Sequence, residues 1–208
     1  MIFTILNEKG GTGKTTITFN LAVLFQSRAK ADIVLIDADK QKSLTSINNL
    51  RLEKKFKISE LDEADKHKDK IILIDTGGRD SKEMRQSIII SDVLIIVLNI
   101  SQLDLFALSR IQTLINEALQ FNKNLKTFYL LNRVPTNFFL SKEINEFKDV
   151  LLQTGINIFN TEIKERSSYK RSIQDGLSVV EYKKDIKAEG EIKSLYNEIK
   201  IKCNVKEM

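Results

Sequence analysis

The sequence predicts a single α/β domain, residues 1–208, built on a mostly parallel, twisted sheet with helices on both faces. Three observations support this fold class. Apolar runs of strand length recur along the chain, and segments with helical apolar spacing separate them. Several runs are apolar at consecutive residues, as in strands that are covered on both faces. Because a helix between two strands forms a crossover connection, successive strands are expected to run parallel.

The predicted elements alternate along the chain. Strands are predicted at Ile2–Leu6, Ile33–Ile36, Ile71–Ile74, Val93–Leu98, Thr127–Leu131 and Ile156–Phe159. Helices are predicted at 14–29, 41–55, 80–90, 103–122, 140–153, 166–174 and 185–203. The highly charged stretch from Arg51 to Lys70 is predicted as a solvated helix and a connection. Ligands of parallel sheets bind at the carboxyl ends of strands, so the loops that follow the strands are the candidates for chemistry.

Composition narrows the class of protein. The content of hydrophobic residues is 42% and that of charged residues 29%, which is ordinary for a globular domain. No apolar run reaches about 18 residues, so no membrane-spanning helix is expected, and the lack of a signal peptide favours the cytoplasm. One cysteine, Cys203, excludes a disulfide framework and an all-cysteine metal site. The net charge of +5 permits nucleic-acid binding without requiring it.

The loop after the first predicted strand, Glu8–Thr16, reads Glu-Lys-Gly-Gly-Thr-Gly-Lys-Thr-Thr. Glycines allow backbone N–H groups to approach phosphate oxygens closely. Lys14 is expected to neutralise the β- and γ-phosphates of a nucleoside triphosphate, and Thr15 to bind Mg²⁺. The general Walker pattern needs glycine at position 8, where this chain has glutamate, so Gly10 and Gly11 are expected to form the tight turn. The alternative is an ordinary glycine turn before a helix.

This loop and the alternating elements together predict a fold of the P-loop NTPase type. The predicted nucleotide-binding residues in the loop are Lys9, Gly10, Gly11, Thr12, Gly13, Lys14, Thr15 and Thr16.

Two acidic boxes follow later strands. Asp37 and Asp39 come directly after the second predicted strand, where one carboxylate can hold the Mg²⁺ shell while the other orients a water molecule. A helix cap is the alternative for an isolated Asp-x-Asp. Asp75 ends the third predicted strand in the Walker B arrangement and is expected to hold Mg²⁺. The next residues, Gly77 and Gly78, allow the chain to bend around the γ-phosphate.

The three boxes resemble those of the ParA/MinD superfamily of ATPases. Lys-Gly-Gly-Thr-Gly-Lys-Thr-Thr is similar to its deviant Walker A box, and the resemblance implies that Lys9 crosses to the other subunit of an ATP-sandwich dimer and touches its phosphates. A solvated lysine beside an anionic site is the alternative. The second box resembles Asp-x-Asp-Pro-Gln with Lys40 in place of proline, which implies that Asp39 positions the attacking water and Asp37 supports the metal and the loop. The catalytic residues so implied are Lys9, Lys14 and Asp39, and the metal-binding residues are Thr15, Asp37 and Asp75.

A polar loop follows the fifth predicted strand, where a purine base would lie. An asparagine amide can pair with the edge of adenine, and the resemblance supports a base contact from Asn132, Arg133 and Pro135. The alternative is a polar loop that contacts nothing.

The C-terminal part, residues 166–176, 178–181 and 188–192, resembles the small plasmid-partition ATPases of the ParF kind, which lack an N-terminal helix-turn-helix domain. The resemblance implies slow ATP hydrolysis with Mg²⁺, release of ADP, and ATP-driven homodimers, in some members polymers. Such dimers bind nucleoid DNA without sequence preference. A centromere-binding partner of the ParB or ParG type stimulates hydrolysis and so moves the cargo.

Four cations within residues 164–171 are the predicted DNA contacts, because cations make phosphate contacts that carry no sequence information. They are Lys164, Arg166, Lys170 and Arg171. Arg166 and Lys170, at i and i+4, are expected to share a helix face. A solvated helix surface is the alternative.

The sequence is also compatible with other functions. A cargo other than DNA fits the same boxes. Membrane positioning of the MinD kind would need an amphipathic tail, and the apolar spacing from Ile192 to Cys203 is more typical of a last helix packed on the sheet. The nitrogenase iron-protein class needs cluster cysteines, and the bacterial tyrosine-kinase class needs a C-terminal tyrosine cluster. The chain has neither.

Overall fold

The fold is an all-parallel sheet between two layers of helices, as the sequence predicts. The computed structural model describes residues 1–53, 55–100, 105–137 and 141–205. Within these ranges the sheet has seven strands in the order β3-β2-β4-β1-β5-β6-β7. The strands are β1 (Ile2–Leu6), β2 (Ile33–Ala38), β3 (Lys57–Ser59), β4 (Ile71–Thr76), β5 (Val93–Asn99), β6 (Lys126–Asn132) and β7 (Asn157–Ile158).

The first five helices lie in the connections between strands, the last three follow the last strand, and together they cover both faces of the sheet. They are α1 (Lys14–Arg28), α2 (Ser43–Leu50), α3 (Lys82–Ile90), α4 (Leu105–Phe121), α5 (Ser141–Leu152), α6 (Ser167–Gln174), α7 (Val179–Tyr182) and α8 (Ile186–Cys203). The first residues of the helices predicted at 103–122 and 140–153 lie outside the described residues.

Alternate residues of the central strands face different helical layers. In β5, Val93 and Ile95 pack with α1 and α8, whereas Leu94 and Ile96 pack with α3, α4 and α5. All four side chains are fully buried. Strands that are covered on both faces need apolar side chains at every position, which explains the consecutive apolar runs in the sequence.

The last helix is part of the core. In α8, Ile192, Leu195, Tyr196, Ile199 and Cys203 are at most 2% exposed and lie in one cluster with α1. The apolar stripe is therefore that of a helix packed on the sheet, as the sequence favours. No helix in the part of the chain that the structure describes has the length and apolarity needed to span a membrane.

The charged stretch between α2 and β4 differs from the prediction. It contains the edge strand β3 and a 3₁₀-helix at Leu61–His67, and α2 ends at Leu50 rather than at residue 55. The side chain of Asn48 explains the change, because its Oδ1 accepts from the backbone N of Phe56 at 2.9 Å and its Nδ2 donates to the backbone O of Phe56 at 3.0 Å. The chain is thereby turned back to pair with β2, and Phe56 is buried.

Candidate nucleotide site

The three predicted boxes meet at the carboxyl ends of the neighbouring strands β2, β4 and β1. β1 lies directly beside β4, and β4 lies beside β2, so the loops after these strands are neighbours. Asp37 and Asp75 are partners in the register between β2 and β4, and Ile5 pairs with Asp75 across β1 and β4. The order of the strands therefore brings together residues that are far apart in the sequence, at the carboxyl ends where parallel sheets bind ligands.

The glycine-rich loop is anchored by Asn7, which stands between β1 and the loop. The Oδ1 of Asn7 accepts from the backbone N of Lys9 at 2.8 Å, and its Nδ2 donates to the backbone O of Val97 at 2.6 Å. Gly11 and Gly13 have φ of +73° and +96°, a region that L side chains rarely adopt. The backbone therefore requires glycine at both positions.

The side chain of Lys14 turns back into the glycine-rich loop. Its Nζ donates to the backbone O of Lys9 at 3.0 Å, and only 6% of the residue is exposed. Burial lowers the pKa of Lys14, while the carboxylates of Asp75 and Asp39 pull it upward. The ammonium group is thus largely removed from water and lies close to two acids, in a position from which it can neutralise an incoming phosphate.

Thr15 and Asp75 form the predicted magnesium side of the site. The Oγ1 of Thr15 donates to Oδ2 of Asp75 at 2.6 Å. Asp75 is fully buried, and its Oδ1 has no hydrogen-bond partner among the residues that the structure describes. Burial raises the pKa of Asp75 to about 7, against the hydrogen bond from Thr15, and the nearby Asp37 adds to the rise. A cation beside this carboxylate would offset the cost of its burial.

The donor set fits Mg²⁺, which prefers oxygen ligands and keeps several water and phosphate ligands. The Oδ1 of Asp75 and the hydroxyl of Thr15 are such oxygens. Within the described ranges no group of three or more His, Cys, Asp or Glu side chains forms a complete metal site. A magnesium ion held here would take its remaining ligands from water and from the phosphates of a nucleotide.

Both carboxylate oxygens of Asp37 accept hydrogen bonds from nearby residues of the chain. Its Oδ2 accepts from the backbone N and the Oγ1 of Thr45 at 2.8 and 2.9 Å, and its Oδ1 accepts from the backbone N of Asp39 at 3.3 Å. These hydrogen bonds tie the loop after β2 to the first turn of α2, which fits the supporting role expected of Asp37. Its contact with the metal stays a prediction.

Asp39 faces the loop after β4. Its Oδ1 accepts from the backbone N of Gln41 at 3.0 Å. A Cβ placed on Gly77 would lie 3.5 Å from the same oxygen. The carboxylate is half-buried and close enough to Lys14 to act on its pKa. The water-positioning role of Asp39 stays a prediction, and this location is compatible with it.

Gly78 brings the loop after β4 against the glycine-rich loop. A Cβ at this position would lie 2.8 Å from the backbone N of Gly10 and 3.1 Å from the carbonyl carbon of Lys9. Only glycine permits this approach, because the atoms opposite are backbone. The loop that carries Asp75 and the loop that carries Lys9 are therefore in direct contact.

Asn132 is buried against the glycine-rich loop. Its Nδ2 donates to the backbone O of Thr12 at 2.7 Å, and a Cβ on Gly13 would collide with the same nitrogen. The sequence predicts a base contact for Asn132 and gives no sign that this residue supports the loop. The base contact stays a prediction.

A cavity of about 650 Å³ opens beside Asn132, between the start of α1 and the start of α6. Its size is within the range of small-molecule sites. It is lined by Gly13, Thr16, Asn132, Arg133, Lys164, Glu165, Arg166, Ser167, Tyr169, Lys170, Ile173 and Gln174. Pro135, the third predicted base contact, does not line it.

Two of the four predicted DNA-binding cations are held by carboxylates. Arg166 donates from Nε and Nη2 to Oε1 of Glu191 at 2.8 and 2.7 Å. Lys164 is paired with Oε2 of Glu162 at 2.5 Å. Arg166 precedes α6 in extended conformation, so it does not share a helix face with Lys170, and that expectation was wrong. Lys170 and Arg171 are exposed on α6.

Several hydrogen bonds of the site were not predicted from the sequence. Asn7 could have been noticed as a polar residue that ends an apolar strand just before the glycine-rich loop. No local pattern marks Thr45, eight residues from the carboxylate it binds. The same holds for Glu191, which also accepts from the hydroxyl of Tyr169 at 3.0 Å.

Comparison with known proteins decides the family. Residues 3–179 match the family model described as the CobQ/CobB/MinD/ParA nucleotide binding domain. The chain belongs to this family. The superfamily resemblance inferred from the three boxes is thereby confirmed.

Individual relatives are distant. "Maintenance of carboxysome distribution protein A" of Halothiobacillus neapolitanus (strain ATCC 23641 / c2) is 24% identical over 208 residues, which cover 94% of each protein. An ATP complex of a Cyanothece McdA variant has a TM-score of 0.76 and 17% identity, and covers 100% of this chain and 98% of that one. A putative plasmid partition protein from Borrelia burgdorferi B31, bound to AMPPNP, has a TM-score of 0.71 and 19% identity, with coverage of 97% and 98%. These structures share the fold of this chain.

Proposed function

We propose that this chain is an ATP-hydrolysing partition protein, which dimerises around ATP, binds DNA without sequence preference and moves a DNA cargo. The observation that carries the proposal is the hydrogen bond from Thr15 to the buried Asp75 beside Lys14, in which one oxygen of the Asp75 carboxylate has no partner among the described residues. This is the arrangement that a P-loop needs for a triphosphate with Mg²⁺. Membership of the nucleotide-binding family supports the same ligand.

The proposed hydrolysis uses the side chains that surround the glycine-rich loop. Lys14 exchanges its hydrogen bond to the backbone O of Lys9 for phosphate oxygens, and the N–H groups of the loop contact the same phosphates. Asp39, which faces the loop after β4, orients the water molecule that attacks the γ-phosphate in line with the β–γ bond. Thr15 and Asp75 would hold Mg²⁺, which would neutralise part of the charge on the phosphate oxygens.

Dimerisation completes the site through Lys9. Its backbone N is fixed by Asn7, so the start of the loop stays anchored when Lys14 exchanges the Lys9 carbonyl for phosphate oxygens. In the proposed dimer the side chain of Lys9 reaches the phosphates of the other subunit. A monomer that lacks this second lysine hydrolyses ATP slowly, because part of the positive charge at the transition state is missing.

The proposed contacts with DNA are made by cations outside the nucleotide-binding loops. Lys170 and Arg171 are exposed on α6 and, unlike Arg166, have no ion pair within the described part of the chain. One subunit offers few such charges, and a dimer doubles them on one surface, so DNA retention depends on ATP through avidity. A partner protein of the centromere-binding class then stimulates hydrolysis and releases the dimer.

A second candidate keeps the mechanism and changes the cargo. The relative of 24% identity is named for the maintenance of carboxysome distribution. By analogy, the ATP-driven dimer of this chain would use the same DNA track to position a protein assembly. The two candidates differ in the partner, which would be a protein that binds a DNA site in the first case and a component of the assembly in the second.

The test is the size of the protein in solution with ATP, with ADP and without nucleotide, each with Mg²⁺. When hydrolysis is slowed by Asp39→Asn, we expect a dimer with ATP and a monomer with ADP or without nucleotide. Lys9→Ala is expected to bind ATP as a monomer, and Lys14→Ala to bind it poorly. An Asp39→Asn protein that stays monomeric at saturating, unhydrolysed ATP with Mg²⁺ would refute the proposed cycle.

A further inference from the structure

A second cationic surface lies at the end of the sheet opposite to the nucleotide site. Lysines from the edge strand β3 and from three connections converge on a cavity of about 410 Å³ at the amino ends of β2 and β3. We call this surface the lysine cluster, and it consists of Lys30, Lys55, Lys57 and Lys70. Among the described residues, Asp32 is the one acidic side chain that lines the cavity.

The charges of the lysine cluster are largely uncompensated. Asp32 is 81% exposed and pairs with Lys70 at 3.4 Å, so one cation is partly neutralised. In the described chain no carboxylate pairs with Lys30, Lys55 or Lys57, and all three are exposed. The ammonium group of Lys55 donates to the backbone O of Asn49 at 3.1 Å, which leaves its charge in place. This contrasts with Lys164 and Arg166, which carboxylates hold.

We propose that the lysine cluster binds the phosphates of DNA. The inference rests on the proposed function, because it assigns part of the surface that holds the DNA track. Lysines act as compact point charges that suit phosphate contacts without sequence preference. The surface is concave at the cavity, where a DNA phosphate can bind. Three ammonium groups surround it, and no carboxylate of the described chain neutralises them.

The lining of the cavity favours a polyanion over a lipid surface. Its apolar residues, Ala31, Ile33 and Phe56, are all less than 9% exposed, so the lining of the cavity itself offers no apolar side chain to acyl chains. The groups at the surface are the ammonium groups and polar side chains such as Gln26. An anchor for membranes requires exposed apolar side chains in addition to charge.

Protection of the sheet edge explains only part of the cluster. β3 is the edge of the sheet, and a lysine there hinders pairing with another chain. This accounts for Lys57. It does not account for Lys30, which follows α1, or for Lys55, which precedes the strand.

The position of the lysine cluster separates it from the ATP cycle. β2 has six residues, so roughly 17 Å of strand lies between Ile33, at the cavity, and the loop that carries Asp39. A dimer that closes over the carboxyl ends of the strands leaves this end of each subunit uncovered. The cluster therefore contributes to DNA binding in both the monomer and the dimer.

The test is binding of a random-sequence DNA duplex by fluorescence anisotropy at several salt concentrations, with ATP and without nucleotide. The variant is the triple change Lys30→Gln, Lys55→Gln, Lys57→Gln. The matched control is Lys123→Gln, Lys142→Gln, Lys187→Gln, which removes the same charge from exposed positions elsewhere. Circular dichroism and ATP hydrolysis without DNA check that both variants are folded.

We expect the triple variant to bind DNA at least tenfold more weakly than the control at low salt. The slope of log K against log salt should fall by about 0.9 for each phosphate that the cluster neutralises in the wild type. Equal affinity and equal slope for the two variants would overturn the inference and leave the proposed function intact. Absence of DNA binding by the wild type with ATP would overturn both. Binding to vesicles of anionic lipid that the triple variant loses, with DNA binding unchanged, would assign the cluster to membranes and also overturn the inference.

Discussion

Arg51 is buried between two aromatic rings and held by the carboxylate of Glu181. Its Nη1 and Nη2 donate to Oε2 and Oε1 of Glu181 at 2.9 and 2.7 Å. The guanidinium carbon lies 5.4 Å from the ring centroid of Phe19 and 5.3 Å from that of Phe56. The pair joins the end of α2 to α7 and spans 130 residues of sequence. A charge in this position is stabilising only while its partner is present.

Removal of the partner is expected to destabilise the fold. Glu181→Ala leaves Arg51 buried and without its bidentate carboxylate, and we expect a loss of about 3–5 kcal/mol in the free energy of unfolding. Urea denaturation followed by circular dichroism measures it. Glu53→Ala, a change of the same type on the exposed surface, is the control. A loss below about 1 kcal/mol for Glu181→Ala would contradict this account.

The same pair predicts sensitivity to acid. Burial raises the pKa of Glu181, but the hydrogen bonds from Arg51 and the backbone N of Ser178 outweigh it and hold the pKa below its ordinary value of 4.5. A carboxyl with a depressed pKa in the folded state stabilises the fold above the unfolded value, and this stability is lost as the pH falls through the folded pKa. Unfolding free energies measured from about pH 6 down to about pH 3 should decline toward acid, and less steeply in Glu181→Gln.

Asp39 is expected to matter for turnover and not for binding. Asp39→Asn keeps the shape of the side chain and removes the charge that orients water, so we expect hydrolysis to fall by on the order of 10²-fold. The affinity for ATP, measured with a fluorescent analogue, should change by less than about threefold. Asp65→Asn, on the exposed surface, is the control. Normal hydrolysis by Asp39→Asn would show that another group positions the water.

Asn132 can support the glycine-rich loop or read the base, and the two roles predict different selectivity for ATP over GTP. If it supports the loop through Thr12, Asn132→Ala removes a buried hydrogen bond and weakens ATP and GTP alike, by about 1–3 kcal/mol. If it reads the edge of adenine, the same variant loses preference for ATP over GTP. We expect the first result, because the amide nitrogen is already engaged. Titration with both nucleotides decides between the two.

The cations near α6 are expected to differ in their effects. Lys170→Gln with Arg171→Gln should weaken ATP-dependent DNA binding and leave stability unchanged, because both side chains are exposed. Arg166→Gln should lower thermal stability, since it leaves Glu191 without its ion pair. A melting curve and a DNA-binding curve for each variant test this. Unchanged stability in Arg166→Gln would contradict a structural role for Arg166 and favour the DNA contact predicted from the sequence.

Much of the fold and of the nucleotide loop can be predicted from the sequence, because the determining signals are local. Consecutive apolar residues predict the buried strands, and the Gly-Lys-Thr spacing predicts the start of α1. The capping box of Ser178 and Glu181 is also local and would have predicted α7. β3 has three residues at an edge of the sheet and gives no comparable pattern.

The remaining parts depend on pairs of distant residues. The pairing of Arg166 with Glu191 spans 25 residues, and that of Asn132 with Thr12 spans 120. Composition and spacing predict that such side chains are polar and near the site. They do not predict which partner each one takes, because the partner is set by the order of the strands and the packing of α8.

The close approach of Gly78 to the start of the glycine-rich loop bears on when the two proposed subunits separate. In the proposed cycle, loss of the γ-phosphate would leave the segment after β4 without the group it encloses, and a shift of its backbone toward the glycine-rich loop would push on the peptide between Lys9 and Gly10. The lysine proposed to contact the opposite subunit would then be displaced by hydrolysis in its own subunit. Disengagement of the two halves can follow each turnover without a separate sensor.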